Sequence, residues 1–237
     1  MAELAIGVLT YNRVQLSRRC IISAIGNMGR GSHEFYVWDN NSKDNTAEWL
    51  SKYGRENNRI TKVFFSDKNI GVHAYNNIFE YSGASYVIEL DDDAIPPYGY
   101  ADRMLETYKW LEKKYKIGLL GLNMNWGALT FTKRNVALEK WQRYKSPFGD
   151  FYVVYEKGKT DLVPGTCRMS SRKVWDELEG QPDRLYGTDK IMNDKSFEKG
   201  HVNIMLDGIG GKAMQHFCDE SNMSFRNWKH QALRNKY

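Results

Sequence analysis

The sequence predicts an α/β domain built on a doubly wound, mostly parallel central sheet flanked by helices, and three observations carry that expectation. Short apolar runs alternate with amphipathic stretches through the first half of the chain, which is the pattern of consecutive βαβ units. Successive runs end in polar, turn-forming residues: TYNR, DNNS, DKN and DDD. The chain has 237 residues, 41% apolar and 27% charged, enough for one large core and unlike a disordered composition.

The elements follow in order. LAIGVLT (4–10) reads as a buried strand, and VQLSRRCIISAIGN (14–27) sets Val14, Leu16, Cys20, Ile21, Ala24 and Ile25 on a helical stripe. EFYVWD (34–39) is the next strand and NTAEWLSKYG (45–54) the next helix, with Asn45 and Glu48 at capping-box spacing and Gly54 as its stop. ITKVFFS (60–66), a helix over 72–82 and ASYVIEL (84–90) complete the alternation. A helix over 98–115 and the strand IGLLGL (117–122) come next. Residues 123–160 mix Trp126, Trp141, Phe148, Phe151, Tyr152 and Tyr155 with glycines and lysines, without a clean period. DFYVVYE (150–156) and LVPGTCRMS (162–170) read as strands. SRKVWDELEG (171–180) is a short helix capped by Ser170 or Ser171 and stopped by Gly180, and 188–199 is a helix ending at Gly200. No repeat, low-complexity tract or linker divides the chain. One domain is therefore expected over 1–220, in two halves (1–97 and 98–220), followed by a basic aromatic tail at 221–237.

The net charge of +5, from 34 basic and 29 acidic residues, suits an anionic ligand and falls short of a nucleic-acid-binding surface. Cys20, Cys167 and Cys218 form no CxxC pair and read as reduced thiols. The opening MAELAIGVLTYNR lacks the layout of a signal peptide, and no window approaches 18 consecutive apolar residues, so a cytoplasmic protein is expected.

In doubly wound sheets ligands bind beyond the carboxyl ends of the strands. Thr10-Tyr11-Asn12-Arg13, Asp39-Asn40-Asn41-Ser42, Asp67-Lys68-Asn69 and Asp91-Asp92-Asp93 stand at four such ends. Neither G-x-G-x-x-G nor G-x-x-x-x-G-K-[ST] occurs, which argues against dinucleotide and P-loop sites. Carboxylates 5 to 6 Å apart repel by roughly 3 kcal/mol at an effective dielectric near 20. A hard divalent cation, Mn²⁺ or Mg²⁺, would offset that repulsion and bridge to a diphosphate; a solvated acidic turn is the alternative. An EF-hand does not fit the spacing.

The ordered series TYNR, WDNNSKDNT, KNIGVHAYNN and YVIELDDDAIPP resembles the nucleotide-sugar half of family 2-type glycosyltransferases with a GT-A fold. The likeness continues in VPGTCRMSSRKVWDELEG (163–180), LYGTDKIMNDKSFEKG (185–200) and MQHF (214–217), leaving out about 123–160 and the tail after 220. It implies metal-dependent, inverting transfer of a sugar from a nucleoside-diphosphate sugar to a hydroxyl of a glycan or glycoconjugate acceptor. Carried over by position, Thr10, Tyr11 and Arg13 would line the base pocket and Asp39 would accept a hydrogen bond from the base. Asn69 and Gly71, with Asn77 nearby, would shape the floor under the nucleotide. Asp91 and Asp92 would hold the ribose or orient metal-bound water, and Asp93, with Asp91 beside it, would hold the metal. His216 stands where the family often places a metal-side histidine; a core histidine is the other reading.

Asp189 would be the catalytic base, with Gly200 eleven residues beyond it as the family pattern expects. The sequence departs from that pattern in three places: Thr188 precedes the aspartate where the family shows Glu, Ile191 takes the second acidic position, and Lys195 takes the arginine position. An aspartate at a helix start is otherwise a cap. The absence of Q-x-x-R-W favours single-sugar transfer over polymer synthesis. Trp126, Trp141 and Phe148 are candidates for an acceptor-side surface, with core packing as the alternative. SFRNWKHQALRNKY (224–237) would make at most weak peripheral contact with an anionic membrane. Two rival functions stand beside transfer. A nucleotidyltransferase that makes activated sugars would need a Gly-rich, Arg-bearing loop that TYNRVQ lacks, whereas Thr188 favours a non-catalytic carbohydrate- or nucleotide-binding module.

Overall fold

In the computed structural model the described residues are 2–126, 133–134, 141–155, 162–217 and 227. The first half alternates as the sequence predicts. β1 (Leu4–Thr10), β2 (Glu34–Asp39), β3 (Lys62–Phe65) and β4 (Tyr86–Asp91) are joined by α1 (Val14–Asn27), α2 (Thr46–Glu56) and α3 (Ala74–Ser82), the last entered through a 3-10 turn at Gly71–His73. The four strands pair in parallel in the order β3-β2-β1-β4. All four therefore deliver their polar ends to one rim.

The second half contributes β5 (Ala94–Ile95), α4 (Tyr100–Leu111), β6 (Ile117–Leu122), β7 (Met124–Trp126), β8 (Lys133–Arg134), β9 (Arg143–Ser146) and β10 (Gly149–Val153). β11 (Cys167–Ser171), α5 (Arg172–Glu177), α6 (Asp189–Glu198), β12 (Val202–Leu206) and β13 (Met214–His216) complete it. The main sheet runs β3-β2-β1-β4-β11-β6-β12-β10-β9. Only β11 and β10 point against the others, so the sheet is mixed but mostly parallel in direction. A second sheet, β5-β13-β7-β8, forms from segments that leave the main sheet after β4, β6 and β12, at the same rim.

Alternation along β1 divides the core. Leu4, Ile6 and Val8 join Ile21, Ile25, Met104, Tyr108 and Leu120 on one face, while Ala5 meets Tyr75, Phe79 and Trp175 on the other. Each fully buried aliphatic or aromatic side chain contributes about 1.5–3 kcal/mol of transfer free energy. Trp141 packs beside Leu119, Val174 and Met192, in keeping with core packing. The Phe148 ring lies under the Arg103 guanidinium and lines a cavity of about 320 Å³ with Arg143, Asp150 and Asp207. The side chain of Trp126 and the tail after 217, residue 227 apart, lie outside the described residues.

Several boundaries differ from expectation for local reasons. Asn45 makes no side-chain cap; instead the Asp44 carboxylate accepts the N–H groups of Thr46 and Val14, both at 3.0 Å, tying α1 to α2. α2 runs through Gly54 to Glu56, because the missing side chain admits β3: a Cβ there would come 2.7 Å from Val63 Cγ2. β11 starts at Cys167 rather than 162, after the Gly165-Thr166 turn that follows Pro164. The Ser171 hydroxyl caps α5 by accepting the Val174 N–H at 3.2 Å. Cys20 and Cys167 are free, buried thiols. No helix among the described residues is long and apolar enough to cross a membrane.

Candidate active site

The first three strand ends form a continuous hydrogen-bonded rim. Thr10 Oγ1 donates to Asp39 Oδ1 at 3.2 Å, and the Ser42 N–H donates to Asp39 Oδ2 at 3.0 Å, so each carboxylate oxygen has its own donor. The Asn12 side chain, at φ +52°, accepts the Lys43 N–H at 2.5 Å and closes the loops after β1 and β2 against each other. Asn40 Nδ2 donates to the Gly71 carbonyl at 3.2 Å, and Asn69 Oδ1 accepts the Gly71 N–H at 2.8 Å. Gly71 adopts φ +59°, and a Cβ there would sit 2.1 Å from Leu185 Cα. Only glycine lets this turn meet the segment before α6, where the Val72 N–H donates to the carbonyls of Arg184 and Leu185 at 3.1 and 3.2 Å. Tyr11 and Asn77 are half-buried, the latter on α3.

The acidic triplet stands where β4 ends: Asp91 closes the strand, and the turn of Asp92 and Asp93 into β5 splits the carboxylates. Asp92 is 1% exposed and turned inward. Its carboxylate accepts from the Ser17 hydroxyl and from Arg13, whose Nη1 also donates to Asp93 Oδ2 at 3.1 Å. Both terminal nitrogens of Arg13 are thus engaged by carboxylates. Asp91 and Asp93 turn toward His216, and one ligand atom from each of the three lies within 4.8 Å of the others. His216 Nε2 is 3.0 Å from Asp93 Oδ1, a position set by β13, which pairs His216 with Ala94 on β5. Although largely buried, His216 faces the acidic centre.

Electrostatics follow the same division. Burial pushes Asp92 up to about 6, with repulsion from Asp93 adding to it and Arg13 opposing. Burial raises Asp91 as well, and repulsion from Asp93 and Asp189 adds to the effect. Burial would lower the Arg13 guanidinium, but Asp92 and Asp93 outweigh that and hold it above its ordinary range. Among the described residues, Arg13 and, at Asp91, His216 oppose the triplet's three potential negative charges.

Asp189 opens α6, and its side chain is 45% exposed. It does not cap its own helix. Its Oδ1 accepts the Gly165 N–H at 2.9 Å and faces Arg168 Nη1 at 3.4 Å. The Asp91 N–H donates to the Thr166 carbonyl at 3.0 Å, so the loop that positions Asp189 is tied to the triplet. Lys195 turns away, donating to the Leu178 carbonyl at 2.9 Å and to Glu179 at 3.1 Å. The sequence reading missed Ser17, Glu89, Arg168 and Gln181. A charged residue inside each of the apolar strands YVIEL and TCRMS was the available signal for the middle two.

The family model described as glycosyl transferase family 2 matches residues 5–178, which take in the rim, the triplet and Arg168. The chain belongs to this family. Solved structures of similar fold include the mannosyltransferase PcManGT from Pyrobaculum calidifontis in complex with GDP-Man and Mn²⁺, at 16% identity and TM-score 0.67, covering 98% of this chain and 62% of that one. TarS 1–349 from S. aureus in complex with UDP-GlcNAc matches at 15% and 0.64, over 91% of this chain and 58% of the other. GalNAc-T7 with UDP, GalNAc and Mn²⁺ matches at 14% and 0.64, over 92% and 44%. The architecture is that of GT-A glycosyltransferases, and this family 2 chain spans 62% or less of those three chains. No curated protein matches it.

Proposed function

We propose that this family 2 chain transfers a single sugar, with inversion, from a nucleoside-diphosphate sugar to an acceptor hydroxyl of a glycan or glycoconjugate. The observation that carries the reading is the convergence of Asp91, Asp93 and His216 at the end of β4, tied through the Gly165-Thr166 loop to the half-exposed Asp189. Two carboxylates and an imidazole form an oxygen-rich set with one nitrogen, which fits Mn²⁺ and, less well, Mg²⁺. A cation held by these three residues supplies Lewis acidity to the leaving diphosphate. Asp92, turned inward, braces Arg13 against Asp93 and so orients the ligand set. The rim built by Thr10, Tyr11, Asp39, Asn69, Gly71 and Asn77 receives the nucleotide, with the Asp39 carboxylate as the hydrogen-bond acceptor for the base. Asp189 accepts the proton of the attacking hydroxyl, for a rate contribution of about 10²-fold or more. Attack from the face opposite the diphosphate gives the inverted product.

The test is product analysis with a panel of UDP- and GDP-sugars, with Mn²⁺ or with EDTA. Nucleoside diphosphate released only with the metal supports transfer, or its hydrolytic side reaction. Pyrophosphate release would replace the reading by nucleotidyl transfer. Binding without turnover would leave a carbohydrate- or nucleotide-binding module.

A further inference from the structure

We propose that Arg168, braced by Glu89, is a positioning residue for Asp189 that fixes which carboxylate oxygen faces the acceptor. Because this role presupposes Asp189 as the base, it deepens the reading above and rests on it. Glu89 on β4 and Arg168 on β11 lie directly opposite each other in the antiparallel register. Both are buried, the Arg168 side chain to 1% exposure. Arg168 Nε and Nη2 converge on Glu89 Oε2 at 2.7 and 2.6 Å, and Gln181 Nε2 donates to Glu89 Oε1. The remaining nitrogen, Nη1, points outward to Asp189 Oδ1 at 3.4 Å and the Val163 carbonyl at 3.5 Å. Asp189 Oδ1 also accepts the Gly165 N–H, at a glycine whose Cβ would sit 3.0 Å from that oxygen. Among the described residues, both side-chain hydrogen bonds of Asp189 thus fall on Oδ1, and the side chain is 45% exposed, which leaves Oδ2 as the oxygen to take a proton.

Stability is a weak reason for such a pair. The desolvation cost of a buried ion pair can cancel its attraction, and apolar residues in its place are often as stable or more so. A rigid planar fork with two arms on Glu89 and one on a half-exposed carboxylate has a better reason, which is orientation. Glu89 balances the charge, so the third arm holds Asp189 without presenting it with an uncompensated cation.

The test replaces both members at once, Glu89→Met with Arg168→Met, so that no buried charge is stranded. Turnover is read as nucleoside diphosphate release from a UDP- or GDP-sugar with Mn²⁺ and water as acceptor, beside Asp189→Asn and the triple variant. The expected result is an unchanged melting temperature and donor KM with kcat lowered by about 10²-fold, the scale of a base displaced by about 1 Å. The triple variant should fall no further than Asp189→Asn alone, since the effects pass through one group. Wild-type kcat in the double variant, with Asp189→Asn inactive, would overturn the positioning role and leave the base reading standing. Wild-type turnover in Asp189→Asn would remove the base reading, and this role with it. If the double variant does not fold, Arg168→Lys keeps a charge on Glu89 without the third arm. The same kcat loss there supports the role, and wild-type kcat overturns it.

Discussion

Around Asp39 and Gly71 the loops after β1, β2 and β3 close on one another through hydrogen bonds from hydroxyl, amide and backbone groups, whereas Asp189 is held by an arm of a buried ion pair and one N–H from another loop. On the first side, Asp39 is fixed by Thr10 and Ser42, and Asn40 and Asn69 close on Gly71. On the second, Glu89 and Arg168 lie inside the sheet and reach out to the site. A bond between neutral groups contributes about 0.5–1.5 kcal/mol and one to a carboxylate such as Asp39 about 1.5–3, while an uncompensated buried charge costs about 3–5 kcal/mol. The nucleotide side should therefore degrade in small steps, and the acceptor side should depend on single groups.

The strongest way to break this contrast is Asp189→Asn. The amide oxygen can still accept the Gly165 N–H, so the fold and nucleotide affinity should be retained, while loss of the proton acceptor lowers turnover by about 10²-fold or more. Single-turnover rates with calorimetric nucleotide affinity separate the two. A variant that transfers at the wild-type rate would leave the acceptor side with no chemical role.

Gly71→Ala tests the nucleotide side and should act more weakly on rate. Left-handed backbone at a non-glycine residue costs about 1–3 kcal/mol, and the new Cβ would also press on Leu185 Cα, 2.1 Å away. A fall in melting temperature of roughly 2–4 °C per kcal/mol follows for a chain of this size. Donor KM should rise more than kcat falls. If kcat falls instead, the contact between Val72 and the 184–185 segment transmits the strain to Asp189, and the two sides act as one unit.

The same contrast explains what the sequence reveals. The βαβ alternation and the polar strand ends are local patterns, and each nucleotide-side loop is closed by residues on the same or adjacent strand ends. The pairing of Glu89 with Arg168 depends on β11 entering antiparallel between β4 and β6. Nothing local to TCRMS specifies that insertion, so its charge could be noticed but not partnered. The Arg13 contacts were hidden for a similar reason: TYNR places it at the rim, and only the fold turns it onto carboxylates 79 and 80 residues away.

The smallest expected effect sharpens the comparison by lying outside both sides. Asp102, in the first turn of α4, accepts the N–H groups of Arg30 and Gly31 at 2.8 and 3.1 Å and meets His33 Nε2 at 2.5 Å. It fastens the entry to β2, at the opposite end of that strand from Asp39. Burial alone would raise its carboxyl, but the bonds from Arg30, His33 and Gly31 prevail and hold it below the usual carboxylate range. The folded state therefore binds this proton less readily than the unfolded chain. The resulting stability is present above the ordinary aspartate value near 4 and is lost as pH falls through the lower folded value. Asp102→Asn should cost on the order of 1 kcal/mol at neutral pH, the carboxylate being partly solvated, and should flatten the acid limb of the stability curve. Urea midpoints at pH 7 and pH 3 measure both effects. Because Asp102 braces the scaffold and neither side of the rim, kcat and donor KM should stay at their wild-type values, and a change in either would mean that the clamp reaches the site through α1 and Arg13.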